Sequence, residues 1–272
     1  MTFVVARRLG TGDAIVFGSE QKAILASGLV PPDPDFQTMR QLLTYGRAVT
    51  PRTRGIVINS PCNPTGAVLG DDRMAAIADL GVPLIADEIY HGLVYGPPPR
   101  TALAYADTAF VIDGFSKRYA MTGWRLGYII VPEAFIRPLQ KMHQNFFISA
   151  NAFVQWAGVA ALKHAGQDVE QMKQTLDARR RYIIPRLREL GFGIGVEPTG
   201  AFYVLANARQ FSGDSLSLAF SILEEARVGV TPGIDFGKNA EGYLRFSYAN
   251  SLDNIKEGMD RIEGYLKRRH PR

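Results

Sequence analysis

The stretch "AFVIDGFSKRYAMTGWRLGYIIV", Ala109 to Val131, holds two apolar runs around a polar turn that carries Lys117 and Arg125. Its outer segments, "AFVIDG" at 109–114 and "LGYIIV" at 126–131, have the length and β-branched content of buried strands. "GIVINS" at 55–60 and "VPLIAD" at 82–87 repeat the pattern. Segments with helical spacing, such as "DDRMAAIADL" at 71–80, lie between some of them. Apolar strands alternating with helices predict an α/β architecture: a mostly parallel sheet, flanked by helices that cover both faces. In such a sheet, ligands collect outside the carboxyl ends of the strands. Three of the four runs end in polar pairs, Asn59-Ser60, Asp87-Glu88 and Asp113-Gly114, so a site is expected along that edge.

Downstream of about residue 165 the character changes. "QDVEQMKQTLDARRRYIIPRLREL" at 167–190 sets Val169, Met172, Leu176, Ile183, Leu187 and Leu190 on one helical stripe. Pro185 within it predicts a kink or an interruption. Four short strand candidates follow: "GFGIGVE" at 191–197, "GAFYVLA" at 200–206, "VGVTPG" at 228–233 and "YLRFSY" at 243–248. One helix, "SLSLAFSILEEA" at 215–226, separates them, and a last helix runs from about Leu252 to Lys267. This is a smaller α+β unit, and the spacing predicts a large domain over 1–170 and a small one over 171–272. The first fifty residues carry turn signals without a clear order of elements.

Composition narrows the function. The 272 residues can bury a substantial core, and 46% hydrophobic with 21% charged residues is ordinary for a globular protein. The net charge of +5 arises from basic residues spread along the chain, without a recognisable nucleic-acid module. That mild excess suits anionic phosphates and carboxylates. A single cysteine, Cys62, rules out an intrachain disulfide, and the four histidines have no metal-ligand spacing. No apolar run reaches membrane-spanning length and the start lacks a signal-peptide pattern, so a cytoplasmic location is expected.

Singly, the polar motifs are weak. "NSPCNPTG" at 59–66 is turn chemistry, "ADEIY" at 86–90 suits a helix cap, and Arg245 in "YLRFSYAN" suits a strand surface. Taken in order with "GFSKRYAMTGWRLGY" at 114–128, "PTGAFYVL" at 198–205 and "VTPGIDFG" at 230–237, they closely resemble one family. It is the class I/II aminotransferases of pyridoxal-phosphate fold type I, in particular the gamma-like subgroup with aspartate and broad-specificity members. The resemblance spans roughly residues 46 to 270.

That resemblance implies pyridoxal 5′-phosphate as the cofactor, and a reaction that moves an amino group between an amino acid and a 2-keto acid. It implies the residue roles too. Lys117 forms the Schiff base and then moves protons; a lysine ammonium loses its charge readily in a buried site. Asp87 faces the pyridine nitrogen, and its charge favours the protonated ring. Asn63 and Tyr90 hydrogen-bond the ring's phenolic oxygen. Arg125 anchors the phosphate, which a guanidinium matches bidentately. Arg245, with Asn63, holds the substrate α-carboxylate and so orients the reacting Cα–H bond. Family members act as homodimers, so a homodimer is expected.

Two departures from the family pattern stand out. Gly114 occupies the place, three residues before the lysine, where many members carry a phosphate-binding serine. Members also have on the order of a hundred more residues before the N-P-T-G motif, comparable to a small domain. That part supplies a phosphate-cradling turn, a ring-stacking aromatic and a tyrosine lent to the neighbouring subunit. Here "TGDAIVFGSEQK" reads as a remnant of the strand after that turn, and "GSEQKAI" stands where the aromatic is expected. Three alternatives therefore stay open: a shortened relative of weak or no activity, another fold type I enzyme such as a β-lyase, and a non-enzymatic binding protein.

Overall fold

The structure, a computed structural model, describes residues 49–50 and 52–270, and the backbone of residues 3–9 and 12–18. Strands β1 (Phe3–Leu9) and β2 (Gly12–Gly18) form an antiparallel pair. Segment 19–24 of the expected cofactor-stacking region lies outside the described residues.

A four-stranded sheet comes next, ordered β3 (Ile56–Asn59), β4 (Leu84–Asp87), β5 (Phe110–Gly114) and β6 (Gly127–Ile130). The first three strands are parallel and β6 runs antiparallel to β5, so the sheet is mostly parallel as expected. Helix α1 (Asp71–Ala78) connects β3 to β4. It buries Met74 and Ile77 against Ile56, Ile58, Leu84, Ala86 and Val111. Alternation along β3 turns Val57 the other way, where it is 54% exposed. β6 is exposed along its whole length. The expectation that helices cover both faces is thus corrected: among the described residues part of the sheet faces outward.

The register positions the site. Asn59 pairs with Asp87, Asp87 with Ile112, and Asp113 with Tyr128. All three polar strand ends therefore line one edge. The short helix α2 (Phe115–Arg118) starts directly after β5 and lifts Lys117 above that edge.

Helices α3 (Glu133–Phe147) and α4 (Ala152–His164), which the pattern did not predict, carry exposed Phe146, Phe147, Phe153, Trp156 and Leu162. Helix α5 (Gly166–Glu189) contains Pro185 without interruption, correcting the expected break. Ile183, Ile184 and Leu187 are buried around it, and that packing offsets the roughly 3 kcal/mol that an interior proline costs.

The second sheet is antiparallel, ordered β7 (Tyr203–Asn207), β9 (Tyr243–Ser247), β8 (Thr231–Pro232). Two expected strands shrink. "VGVTPG" contributes only the two residues of β8, and "GFGIGVE" only a bridge from Gly193 to Asn207; its glycines offer little side-chain surface for pairing. Helices α6 (Ser215–Ala226) and α7 (Leu252–Arg269) cover this sheet together with α5. Asp214 caps α6 by accepting from Ser217 N at 2.9 Å, and Ser251 caps α7 by accepting from Asn254 N at 3.2 Å. The resulting core joins Leu176, Leu187, Ile222, Leu244, Met259 and Ile262 to Tyr90 and Leu93 from the segment after β4.

Candidate active site

The site is assembled from strand ends and loops far apart in sequence. After β3, Asn59 pins the N-P-T-G turn: its Oδ1 accepts from Asn63 N at 2.8 Å, and its Nδ2 donates to the Asp87 carbonyl at 3.3 Å. Gly66 closes the turn with φ +68°, and a Cβ there would collide with Pro198. This close approach lets Thr199 N and Gly200 N both donate to Gly66 O at 2.9 Å. The turn is thereby fastened to the loop that leads into β7.

The acid pair after β4 divides into two roles. Glu88 Oε1 accepts from Ala102 N at 2.7 Å and Thr101 Oγ1 at 3.0 Å, and Oε2 lies 3.3 Å from His91 Nδ1. Glu88 therefore holds the loop that passes over it. Asp87 is also buried, and its Oδ1 accepts from Ile89 N at a longer 3.3 Å. Burial pushes its pKa up to about 6, against the Ile89 N–H and with help from the nearby Asp113 charge. Asp113 itself accepts from Gly114 N at 2.6 Å and Tyr128 Oη at 2.9 Å. A carboxyl so placed favours a cation or a proton donor beside it.

Lys117 is half-buried, with its Nζ 6.0 Å from the centre of the Phe202 ring. Burial lowers its pKa, the Arg125 and Arg245 charges lower it further, and Asp87 opposes them. Each of the first two effects acts against the ammonium and towards the amine, which is the nucleophilic form. Just before it, Gly114 leaves no room for a side chain: a Cβ would sit 2.9 Å from Leu126 O and 3.0 Å from Gly127 Cα. A serine at this place would therefore need β5 and β6 to move apart.

Tyr90 is buried, its hydroxyl lies 3.1 Å from that of Tyr203, and burial raises its pKa. Arg245, on β9, sits between the rings of Tyr203 and Phe236, with Cζ 4.3 Å and 4.9 Å from their centres. Its Nη1 donates to Asn63 Oδ1 at 2.7 Å and its Nη2 to Thr231 Oγ1 at 3.0 Å. Among the described residues its buried Nε has no hydrogen-bond partner. An unpaired buried donor on a cation invites an anion.

Arg125 is placed differently. It is exposed, donates from Nη1 to Thr122 O at 2.9 Å, and adopts the left-handed φ of 56°. Arginine rarely takes that conformation, and such strain clusters at functional sites. Its charge still acts on Lys117. So Asp87, Tyr90, Lys117, Asn63 and Arg245 converge through contacts or mutual charge, with Arg125 at the solvent side. Sequence reasoning placed Asn59 at the site edge without a role, and did not single out Phe202, Tyr203, Thr231 or Phe236. "PTGAFYVL" and "VTPGIDFG" contained four of them, and the aromatic doublet after a turn was the available signal.

One sheet edge of an α/β fold thus gathers a half-buried lysine, a buried carboxyl and an arginine whose Nε has no partner among the described residues. The sequence profile described as "Aminotransferase class I and II" matches residues 32–262. A (5-formylfuran-3-yl)methyl phosphate transaminase of Methanocaldococcus jannaschii is 39% identical over 226 residues, covering 81% of this chain and 60% of that protein. An aspartate aminotransferase of Pyrococcus abyssi is 38% identical over 229 residues, covering 80% and 59%. The crystal structure of an aromatic aminotransferase from Pyrococcus horikoshii superposes with a TM-score of 0.79 at 37% identity, over 85% of this chain and 64% of that one. The chain therefore belongs to the class I and II aminotransferase family, with a fold type I architecture. It spans about 60% of the length of these two relatives. Members of the family use pyridoxal 5′-phosphate.

Proposed function

We propose that this chain acts as a pyridoxal-phosphate-dependent aminotransferase, moving an amino group between an amino acid and a 2-keto acid. The observation that carries the reading is the half-buried Lys117 directly after β5, beside the edge where Asp87 ends β4, with Asn63 and Arg245 joined to each other at the same site. The residues suit the cofactor's groups one by one. The Lys117 amine suits its aldehyde. Asp87, whose burial penalises an unpaired charge, suits the protonated pyridine nitrogen. Tyr90 has a hydroxyl to offer the phenolic oxygen. Asn63 already uses Oδ1 as acceptor for Arg245, which leaves its amide N–H groups free to donate there. Arg125 offers a solvent-facing guanidinium to the phosphate.

When bound, pyridoxal phosphate supplies a ring that takes up the electron pair left by Cα–H cleavage. Lys117 Nζ would hold the cofactor's aldehyde carbon and, once freed by the incoming amino acid, would act as the base for the Cα proton and then as the acid that hands the same proton on. Asp87 holds the proton on the ring nitrogen. Arg245 and Asn63 fix the α-carboxylate, which orients the Cα–H bond. The transaminase names of the relatives support this reading over a β-lyase, an inactive relative or a binding protein.

We also infer a homodimer, supported by the exposed apolar side chains of α3 and α4. We divide the chain near residue 170, within α5, whose buried Leu176, Ile183, Ile184 and Leu187 belong to the core of the three-stranded sheet. No helix among the described residues is long and apolar enough to cross a membrane; we favour the cytoplasm, which the single cysteine suits.

Titration with pyridoxal phosphate tests the function. A visible absorbance band should appear and Lys117→Ala should abolish it, while absence of a band at saturating cofactor would refute the reading. A half-reaction screen across amino acids then identifies the substrate.

A further inference from the structure

Tyr203 belongs to no role assigned so far, yet it touches two residues that have one. On the sheet, Tyr203 pairs with Ser247 while Leu205 pairs with Arg245. Tyr203 and Arg245 are therefore diagonal neighbours on one face, a distance that an aromatic ring spans. The Arg245 guanidinium lies over that ring at 4.3 Å. At its far end the Tyr203 hydroxyl is 3.1 Å from that of Tyr90, and the two rings meet edge to face, with centres 5.9 Å apart.

We infer that Tyr203 is a positioning residue of the reaction: its ring seats the Arg245 guanidinium and its hydroxyl donates to Tyr90 Oη, linking the carboxylate end of the site to the cofactor-oxygen end. The inference rests on the function proposed above. Its direction comes from proton counting. Tyr90 has one O–H, and if that donates to the cofactor's phenolic oxygen, the 3.1 Å contact runs from Tyr203 O–H to Tyr90 O. A hydroxyl that accepts a hydrogen bond becomes a stronger donor. Burial raises the Tyr90 pKa, which keeps its proton in place for that chain. A merely structural Tyr203 would fill space equally well as phenylalanine.

The test separates ring from hydroxyl. Tyr203→Phe keeps the seat for Arg245 and removes the donor; Tyr203→Leu removes both. A strong hydrogen bond on the phenolic oxygen favours its negative charge, so weakening it holds the neighbouring proton to higher pH. In the cofactor-loaded protein, Tyr203→Phe should raise the pH midpoint of the visible band by about one unit, a tenfold change in proton affinity. Its KM for the amino acid should stay within about threefold. Tyr203→Leu should add a rise in KM of about tenfold. An unchanged midpoint in Tyr203→Phe, beside a normal band in the unsubstituted protein, overturns the inference and leaves the proposed function standing.

If the unsubstituted protein shows no band, the proposed function fails, and the cofactor-free chain still decides the contact. Urea midpoints of Tyr90→Phe, Tyr203→Phe and the double variant should be non-additive, because both single changes break one bond. Strictly additive losses would show that the hydroxyls do not interact.

Discussion

Arg245 donates from Nη1 to Asn63 Oδ1 at 2.7 Å, joining residues 182 positions apart. The bond ties β9 of the second sheet to the turn after β3 of the first. It also leaves Arg245 Nε buried without a partner among the described residues. The proposed substrate arginine is thus aimed before substrate arrives, which reduces the ordering that binding must pay for.

Arg245→Gln should raise KM for amino acids by at least about thirtyfold, the equivalent of some 2 kcal/mol for a buried charged hydrogen-bonded contact. The cofactor band should remain. Steady-state kinetics and an absorbance spectrum check both, and a colourless variant would place Arg245 on the cofactor instead.

Asp87 makes a pH-dependent prediction for the cofactor-free chain. Its folded pKa of about 6 lies above the unfolded carboxylate value, which is near 3.9. The folded state therefore binds the extra proton, and this contribution to stability is complete below about pH 4 and lost as pH rises through about 6. Asp87→Asn cannot lose it. The variant should be more stable than the parent at pH 8 by about 3 kcal/mol, with the difference vanishing near pH 4. Urea denaturation at the two pH values measures this, and loaded with cofactor the same variant should lose nearly all activity.

Gly114→Ser restores the hydroxyl found in many relatives but needs space that Leu126 O and Gly127 Cα occupy. Overpacking against backbone should destabilise the chain by about 1–3 kcal/mol, without tighter cofactor binding. Thermal unfolding and a cofactor titration decide it; a variant with full stability and higher affinity would show that β5 and β6 separate easily.

Trp156 is 74% exposed on α4. If two copies meet there, Trp156→Glu should shift sedimentation towards the monomer, because a charge would be buried in an apolar interface. An unshifted dimer would move the interface elsewhere on the molecule.

Much of this was legible from the residues. β-branched runs located β3 to β6 because a buried strand needs apolar side chains on both sides of the chain. Polar strand ends showed where a site would lie, but Lys117, Asp87 and Asn63 were legible because their motifs, taken in order, resemble the aminotransferase family. Helices α3 and α4 were missed: the apolar residues of α4 lie all round it rather than in one stripe, and many apolar side chains of both helices face outward instead of into this chain's core. Pro185 misled because propensity is local, whereas the packing of Ile183, Ile184 and Leu187 that holds α5 is not.

The sequence by itself determined the strands of the first sheet, their polar ends and, through its resemblance to one family, the residues expected to hold the cofactor. The resemblance named Asp87, and only the tertiary structure showed what Glu88 does beside it, by giving it the Thr101–Ala102 loop to hold. The tertiary structure alone showed how closely β6 approaches Gly114, and set Tyr203 between Tyr90 and Arg245. The reason is physical: periodicity reports what neighbours along the chain share, while hydrogen bonds and steric limits between distant segments exist only once folding brings them within a few ångströms.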